Sequence, residues 1–145
     1  MLSASALHAV RALGELSALG NDEYAGAAAV AGRIGAPANY LGKLLQSLVP
    51  AGIVDSRKGA GGGFRLARPA ERISLLDVVE PIDRINRWNG CFLQNPVCGA
   101  HGGCTIHRRW APVREAYFAL LRESTVAEVR NNGFPRGVNH DDNNR

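Results

Sequence analysis

The chain has 145 residues, of which 46% are hydrophobic, and a net charge of +4. This is the length of one ordinary domain, and the apolar content is sufficient for a packed core, which excludes global disorder. No stretch approaches the roughly 20 apolar residues of a membrane span. The first residues, MLSASALHAV, contain no basic segment and no cleavage signature. We therefore expect a cytoplasmic protein without membrane association.

The positive charge is concentrated in one part of the chain. The window 33–72 holds seven basic and two acidic residues, and therefore a net charge of +5. Its basic residues are Arg33, Lys43, Arg57, Lys58, Arg65, Arg68 and Arg72. A local basic stripe in a small domain is typical of a surface that binds the phosphate backbone of DNA. A merely solvated surface is the alternative that charge alone leaves open.

Three helices are predicted ahead of this stripe and within it. Apolar residues recur at helical spacing from Leu7 to Leu19, after Ser3 and Ser5 as possible N-caps and before Gly20-Asn21. The second helix runs from about Ala25 to Ile34 and ends at Gly35, and Pro37 lies in the first turn of the third. The third has an apolar stripe and an opposite polar face: Leu41, Leu44, Leu45, Leu48, Val49 and then Asn39, Lys43, Gln46. The short glycine-containing turn and this polar face indicate a helix-turn-helix unit.

A β-hairpin with a glycine-rich tip follows. Residues 53–58 and 64–67 are predicted strands, and the loop 59–63 has the sequence GAGGG. Basic residues surround the tip, so we interpret the hairpin as the wing of a winged helix. A nucleotide phosphate loop is the alternative, but no Gly-Lys-Ser/Thr follows and no helix begins directly after the loop.

Six residues are predicted to contact DNA. Those at the start of the third helix can face the major groove, where recognition helices make base contacts. Those of the wing would meet phosphates or the minor groove. The two sets are Asn39, Tyr40 and Lys43 on the helix and Arg57, Lys58 and Arg65 on the wing.

The C-terminal half begins with a short helix over 75–83, for which Ser74 and Asp77 form a capping box. Residues 84–104 are predicted to be irregular. A long helix starts between Thr105 and Ala111 and ends near Glu123, and Pro112 requires a restart or a kink. Its apolar residues lie 4 and 3 positions apart, the spacing of a dimer seam: Ile106, Trp110, Val113, Tyr117 and Leu120. Packing against its own domain is the alternative. Thr125 and Glu128 form a second capping box before a last short helix.

All three cysteines of the chain lie in one loop, in a Cys-x6-Cys-x5-Cys-x2-His pattern: Cys91, Cys98, Cys104 and His107. Soft thiolate ligands select zinc, copper(I) or iron–sulfur clusters. Zinc ligands usually come in pairs two to four residues apart, whereas these gaps are six and five, which favours a larger cluster. Zinc and a cluster-free thiol sensor remain alternatives. Trp88 and Trp110 flank the loop and are predicted to limit solvent access to it.

The order of these parts resembles the Rrf-type family of bacterial winged-helix transcription regulators, over about residues 1–130. The motifs that carry the likeness are the wing sequence RKGAGGGFRLAR, the cysteine loop ending in CTIH with Trp110 following, and the later segment TVAEV. The resemblance implies a homodimer whose long helices cross antiparallel. It also implies a 2Fe–2S or 4Fe–4S cluster held by Cys91, Cys98 and Cys104. In the members that regulate cluster biogenesis a histidine three residues after the last cysteine completes the ligand set, which implies His107.

Two positions depart from the pattern of the family. The nitric-oxide-sensing members take the fourth ligand from an acidic residue on the first helix of the partner, but Leu7 stands there and cannot bind iron. Two other histidines are alternative fourth ligands: His101, in the cysteine loop, and His8, which is adjacent to Leu7. The biogenesis regulators carry an acidic residue in the middle of the recognition helix, where this chain has Gly42. Lys58 takes the place of their wing arginine.

The sequence thus predicts a mainly α fold, a winged helix-turn-helix with a small β-hairpin wing and a long C-terminal dimerisation helix. The predicted parts are a DNA-binding domain (1–83), a cluster-binding loop (84–104), a dimerisation helix with its cap (105–131) and a disordered tail (132–145). The predicted function is a dimeric repressor of transcription on a roughly palindromic double-stranded DNA operator. An iron–sulfur cluster that senses cluster supply, redox state or nitric oxide would control binding. No constellation of a general acid and base is visible, so we do not expect an enzyme.

Overall fold

The computed structural model describes residues 1–98 and 104–132. The elements in chain order are α1 (Ala4–Leu16), α2 (Ala27–Ile34), α3 (Ala38–Ser47), β1 (Val54–Arg57), β2 (Gly63–Leu66), α4 (Leu75–Asp83), α5 (Thr105–Glu123) and α6 (Val126–Asn132). Short 3-10 helices cover Ala70–Arg72 and Ile85–Asn89. Within the described ranges, no helix has the length and apolar character that crossing a membrane requires. The fold is therefore mainly helical with one two-stranded hairpin, as the sequence predicts.

Helices α1, α2 and α3 form the helix-turn-helix unit. Leu41 and Leu45 on the inner side of α3, and Leu48 directly after it, are fully buried in one core with α1 and α2. The turn between α2 and α3 begins at Gly35, which has a φ of 71° and donates its N–H to the carbonyl of Ala31. Glycine adopts this left-handed conformation at little cost, so it ends α2 and lets the chain turn into α3.

Helix α1 ends earlier than its apolar periodicity suggests. Ser3 is the N-cap, as predicted, but the last helical residue is Leu16 and not a residue next to Gly20. The chain continues in tighter turns, in which the N–H of Leu19 bonds to the carbonyl of Leu16 at 3.1 Å. Leu19 still packs against the core. The apolar pattern therefore persists beyond the helix because burial of the side chain does not require helical backbone.

The wing is an antiparallel hairpin that is joined to the segment between α1 and α2. Within it Asp55 pairs with Arg65 and Arg57 pairs with Gly63. Ala25 forms an isolated antiparallel bridge to β2, because it exchanges two backbone hydrogen bonds of 2.9 and 2.8 Å with Phe64. This pairing is the reason that α2 starts at Ala27 instead of the predicted Ala25.

Gly63 makes this junction possible. Its φ is 132°, and a Cβ atom added there would lie 2.3 Å from the carbonyl oxygen of Ala25. Any side chain at this position would therefore separate the two strands. Gly62 is similarly close to the backbone of Arg57, whereas Gly61 faces open space.

The C-terminal helices return to the winged-helix domain. Both predicted capping boxes are present, Ser74 with Asp77 at α4 and Thr125 with Glu128 at α6. The two caps lie side by side, since the N–H of Leu75 bonds to the carbonyl of Ser124 and the N–H of Val126 bonds to that of Ile73. Val126 is fully buried, and α6 packs on α1. Residues 124–132 thus complete the core formed by the N-terminal helices.

Helix α5 runs from Thr105 to Glu123 as one helix with Pro112 inside it. One face of the helix packs against the domain, and another face is open to solvent. Phe118 and Leu121 are buried against the domain, with Tyr117 beside them. The side chains on another face remain open to solvent: Ile106 is 40% exposed, Val113 59% and Leu120 58%. One face of α5 therefore packs against its own domain, and a dimer contact through the exposed face stays a prediction.

The predicted tail begins at Asn132, which the structure includes as the last residue of α6. The remainder of the tail, residues 133–145, lies outside the described residues.

We expect Gly63→Ala to lower the free energy of unfolding by about 2–3 kcal/mol, because the added methyl group adopts an unfavourable φ and also strikes Ala25. Gly61→Ala is the control: its φ of 72° is positive, but nothing lies within 4 Å, so we expect a loss of about 1 kcal/mol. Urea unfolding followed by circular dichroism measures both. Equal losses would show that the approach to Ala25 imposes no constraint of its own.

Candidate DNA interface and cysteine loop

The polar residues of the predicted recognition helix differ in their surroundings. Asn39 and Lys43 are exposed on α3. Tyr40 is 37% exposed, and its hydroxyl donates to the hydroxyl oxygen of Ser5. Its ring meets that of His8 edge-on, with the centroids 5.9 Å apart. Tyr40 therefore connects α3 to α1 and also borders the surface that we predict to face DNA.

Gly42 lies where α3 approaches α2. A Cβ atom added there would be 3.5 Å from the Cβ of Ala27, an ordinary van der Waals distance. The position is half-buried, so it belongs to the contact between the two helices. Gly42 is therefore a packing position, whereas Asn39, Lys43 and Gln46 are exposed on the polar face of α3.

Two of the three predicted wing cations are exposed, and the third is held by the protein. Arg57 and Lys58 are exposed at the end of β1. Arg65 is half-buried: its Nη1 donates to the carbonyl of Asn21 at 3.2 Å, and its Nε lies 3.6 Å from the carboxylate of Asp55. Arg65 therefore has two contacts within the protein, and the ring of Tyr24 is a third.

Tyr24 is a residue of this surface that the sequence analysis missed. The guanidinium carbon of Arg65 lies 4.8 Å from the centroid of its ring, and that of Arg57 lies 5.9 Å away. Both distances are within the range of cation–π attraction. The predicted hairpin places Arg57 and Arg65 on one face. The sequence has no feature that places Tyr24 against that face.

The structure brings the predicted thiols together at the start of α5. The Sγ atoms of Cys98 and Cys104 are 4.0 Å apart. Cys104 is the N-cap of α5, and its sulfur accepts the N–H of His107 at 3.4 Å. The sulfur of Cys91 accepts the N–H of Leu93 at 3.3 Å. Each of the two outer cysteines is thus held by backbone donors that favour a thiolate.

The pKa values of the thiols follow from these contacts. Backbone N–H groups of Asn95 and Leu93 lower the pKa of Cys91, and those of His107 and Ile106 lower the pKa of Cys104. At Cys98 the N–H of Cys104 acts in the same direction, but the thiols of Cys91 and Cys104 and burial outweigh it and raise the pKa. Cys98 therefore interacts with both of the other thiols.

The donor set has the chemistry of an iron–sulfur or zinc site. Two thiolates about 2.3 Å from one tetrahedral metal are about 3.8 Å apart, close to the separation of Cys98 and Cys104. Backbone N–H groups directed at ligand sulfurs are also typical of cluster sites. Within residues 1–98 and 104–132, however, no three cysteine, histidine or acidic side chains converge as ligands of one ion. The thiols fit such a group as a pair, with Cys91 beside them.

The candidate fourth ligands are in different places. His107 is half-buried in the first turn of α5, and its Nδ1 has no hydrogen-bond partner in the described part of the chain. His8 packs against Tyr40 on α1. His101 lies outside the described residues. Nδ1 of His107, three residues after Cys104, has no partner among the described residues and is available as a ligand.

Aromatic side chains enclose one side of the cysteine loop. Trp88 packs on Tyr117 with the ring centroids 5.3 Å apart, and Phe92 packs on Trp110 at 5.2 Å. A cavity of about 670 Å³ lies between them, and Cys91, Arg87 and Gln94 also line it. Burial and the carboxylate of Asp83 raise the pKa of Tyr117. Both tryptophans therefore line a cavity beside Cys91, and their predicted effect on solvent access stays a prediction.

Comparison with known proteins assigns a family. A family model described as Rrf2, an iron-dependent transcriptional regulator, matches residues 2–132. The protein Rrf2 of Nitratidesulfovibrio vulgaris is 29% identical over 128 residues, which are 88% of this chain and 85% of that protein. The transcriptional repressor NsrR of Streptomyces coelicolor is 30% identical over 100 residues, 69% of this chain and 67% of that protein.

The fold is also shared with a solved structure. CymR, the global cysteine regulator of B. subtilis, superposes with a TM-score of 0.76 at 18% identity, covering 92% of this chain and 98% of that one. This similarity shows that the two proteins share the arrangement of helices and wing. The match of the family model over residues 2–132 shows that the chain belongs to the Rrf2 family of DNA-binding transcriptional regulators, which are not enzymes.

Proposed function

We propose that the protein is a homodimeric transcriptional repressor whose operator binding is controlled by an iron–sulfur cluster at the cysteine loop. Cys91, Cys98 and Cys104 would supply thiolates and His107 the fourth ligand. The observation that carries the proposal is the 4.0 Å separation of the Cys98 and Cys104 sulfurs at the N-terminus of α5. The description of the family as iron-dependent supports it.

The proposed DNA surface consists of the start of α3 and the wing. Asn39 and Lys43 would contact base edges in the major groove, with Tyr40 at the border of the contact. Arg57 and Lys58 would bind phosphates, and Arg65 would support the wing from within. A two-fold dimer would read two half-sites about one helical turn apart, or a multiple of that spacing, so the operator would be roughly palindromic.

The proposed dimer contact is the exposed stripe of α5. Ile106, Val113 and Leu120 recur every seven residues and are open to solvent in the single chain. Such a stripe is suited to a second copy of the same helix. Two heptads bury too little surface for an independent coiled coil, so the rest of the C-terminal segment would contribute.

A cluster, when bound, supplies a redox-active and chemically labile centre that can report cluster supply, redox state or nitric oxide. The protein would couple the ligand site to the dimer contact. Cys104 caps α5 and is a proposed ligand, so ligand binding fixes the start of the helix that carries the dimer stripe. A change there would alter the spacing of the two recognition helices, which is how small shifts at one site are transmitted through packed elements.

A second candidate function follows from the same distance. With Cys98 and Cys104 at 4.0 Å, a peroxide could oxidise the two thiols to a disulfide, with the release of water. The protein would then be a cluster-free thiol regulator. Zinc at the same thiols is the other alternative, since cysteine and histidine are its usual structural ligands.

Replacing wing cations tests the DNA surface. We expect Arg57→Ala and Lys58→Ala to weaken binding to specific and mixed-sequence duplexes alike, and each to reduce the salt slope by about 1, because each removes one phosphate contact. Fluorescence anisotropy across a salt series measures both quantities. Arg122→Ala, which removes the same charge from α5, should leave them unchanged. A shift in sequence preference at constant slope would contradict the phosphate role.

Leu120→Glu tests the dimer contact. A charge within an apolar contact is costly to bury, so we expect the variant to be a monomer at micromolar concentrations at which the unmodified protein is a dimer. Sedimentation velocity distinguishes the two. Arg122→Glu places the same side chain on the opposite face of α5 and should remain dimeric. If both variants dimerise, the stripe is not the contact.

The ligand set is tested on protein purified without oxygen. We expect visible absorbance that is lost in Cys91→Ala, Cys98→Ala and Cys104→Ala. His107→Ala should keep colour but shift the spectrum and bleach faster in air, because it loses the weakest ligand. His101→Ala is the control and should match the unmodified protein. A colourless protein in which peroxide links Cys98 to Cys104 would instead favour the thiol regulator.

A further inference from the structure

The wing cations share a support that belongs to the body of the domain. Arg57 and Arg65 are diagonal neighbours on one face of the hairpin, since Arg57 pairs with Gly63 and Asp55 pairs with Arg65. Both guanidinium groups lie over the ring of Tyr24, at 5.9 and 4.8 Å from its centroid. One aromatic face therefore serves two cations from two strands.

The position of the ring is fixed by backbone pairing. Tyr24 directly precedes Ala25, which exchanges hydrogen bonds of 2.9 and 2.8 Å with Phe64 of β2. Gly63 allows this approach because it has no Cβ atom. Tyr24 itself is half-buried and lies between α1 and α2. The backbone that carries the ring is therefore joined directly to β2 of the wing.

The two arginines differ in their remaining contacts. Arg65 also donates from Nη1 to the carbonyl of Asn21, and its Nε lies beside the carboxylate of Asp55, so two of its three nitrogens face partners within the protein. In residues 1–98 and 104–132, the guanidinium of Arg57 contacts the Tyr24 ring but makes no hydrogen bond or ion pair. The face of a guanidinium can rest on a ring while its N–H groups, which lie in its plane, remain free for a phosphate.

We propose that Tyr24 is a positioning residue for DNA binding. Its ring anchors the wing through Arg65 and holds Arg57 with its donors directed toward the DNA backbone. The inference rests on the proposed role of the wing in binding phosphates. It assigns Arg57 as the cation that contacts DNA and Arg65 as the cation that holds the wing.

Three substitutions at this position separate the ring from its bulk. Tyr24→Phe keeps the aromatic face and should bind DNA within about 2-fold of the unmodified protein, since the hydroxyl is not needed. Tyr24→Leu keeps an apolar side chain without a π face and should bind about 3–10-fold more weakly. Tyr24→Trp, which has the strongest ring for a cation, should bind at least as well as Tyr24→Phe. Thermal unfolding of each variant identifies any that is not folded at the temperature of the binding measurement.

A double-mutant cycle shows whether Tyr24 acts through the arginines. The cycle combines Tyr24→Leu with Arg57→Ala and Arg65→Ala, and binding to a fluorescent mixed-sequence duplex is measured by anisotropy across a salt series. We expect the loss caused by Tyr24→Leu to disappear when both arginines are already alanine. A loss of the same size in both backgrounds would overturn the inference and assign Tyr24 a merely structural role.

The same experiment distinguishes failure of this inference from failure of the proposed function. If Arg57→Ala weakens binding and Tyr24→Leu does not, the wing binds phosphate without help from the ring and only this inference is wrong. If neither change alters affinity or salt slope, Arg57 does not bind phosphate, and both this inference and the proposed phosphate contact of Arg57 are wrong. Weak binding by Tyr24→Leu, recovery in Tyr24→Phe and coupling to the arginines together would establish Tyr24 as the positioning residue.

Discussion

The architecture depends on the backbone pairing that joins the start of α6 to the start of α4. The carbonyl of Ile73 accepts from Val126, and the N–H of Leu75 donates to Ser124, so the C-terminal end of α5 is fixed to the winged-helix domain. Val126 is buried beneath this junction. The segment between α4 and α6 therefore leaves the core and returns to the same place, because both of its ends are bonded to each other. Its cysteine loop lies at the far end, where α5 begins.

This arrangement determines how the loop can influence the rest of the molecule. The end of α5 near Leu121 is held by the core, while its beginning follows the conformation of Cys104 and the loop. Pro112 lies between the two parts and has no N–H to bond to the carbonyl of Arg108, so the ladder is interrupted where the free half meets the anchored half. In the proposed dimer, movement at the loop would be expressed mainly in the half of the helix before Pro112, which carries Ile106.

Local chemical signals made much of the fold predictable from sequence. Ser74 with Asp77, Thr125 with Glu128, and Gly35 each act within one turn of backbone, and the structure has the predicted caps at all three. The features that sequence did not indicate depend on residues distant along the chain. Local sequence predicts a helix at Ala25, which instead pairs with Phe64. Likewise, no residue near Tyr24 in sequence indicates its contact with two arginines of the wing. Apolar spacing likewise extended α1 past Leu16, because periodicity records burial and not hydrogen bonding.

The cap of α5 has a thermodynamic consequence. A sulfur is a weak hydrogen-bond acceptor when protonated and a much better one as a thiolate, which the partial positive charge of a helix N-terminus also favours. Cys104 is both the cap and a proposed ligand, so the protonation that would accompany loss of metal also weakens the first turn of the helix. Metal affinity, acidity of one thiol and order at one helix end would then be three expressions of a single linked equilibrium. In such an equilibrium, any condition that stabilises the first turn of α5 also increases the affinity of the loop for its metal.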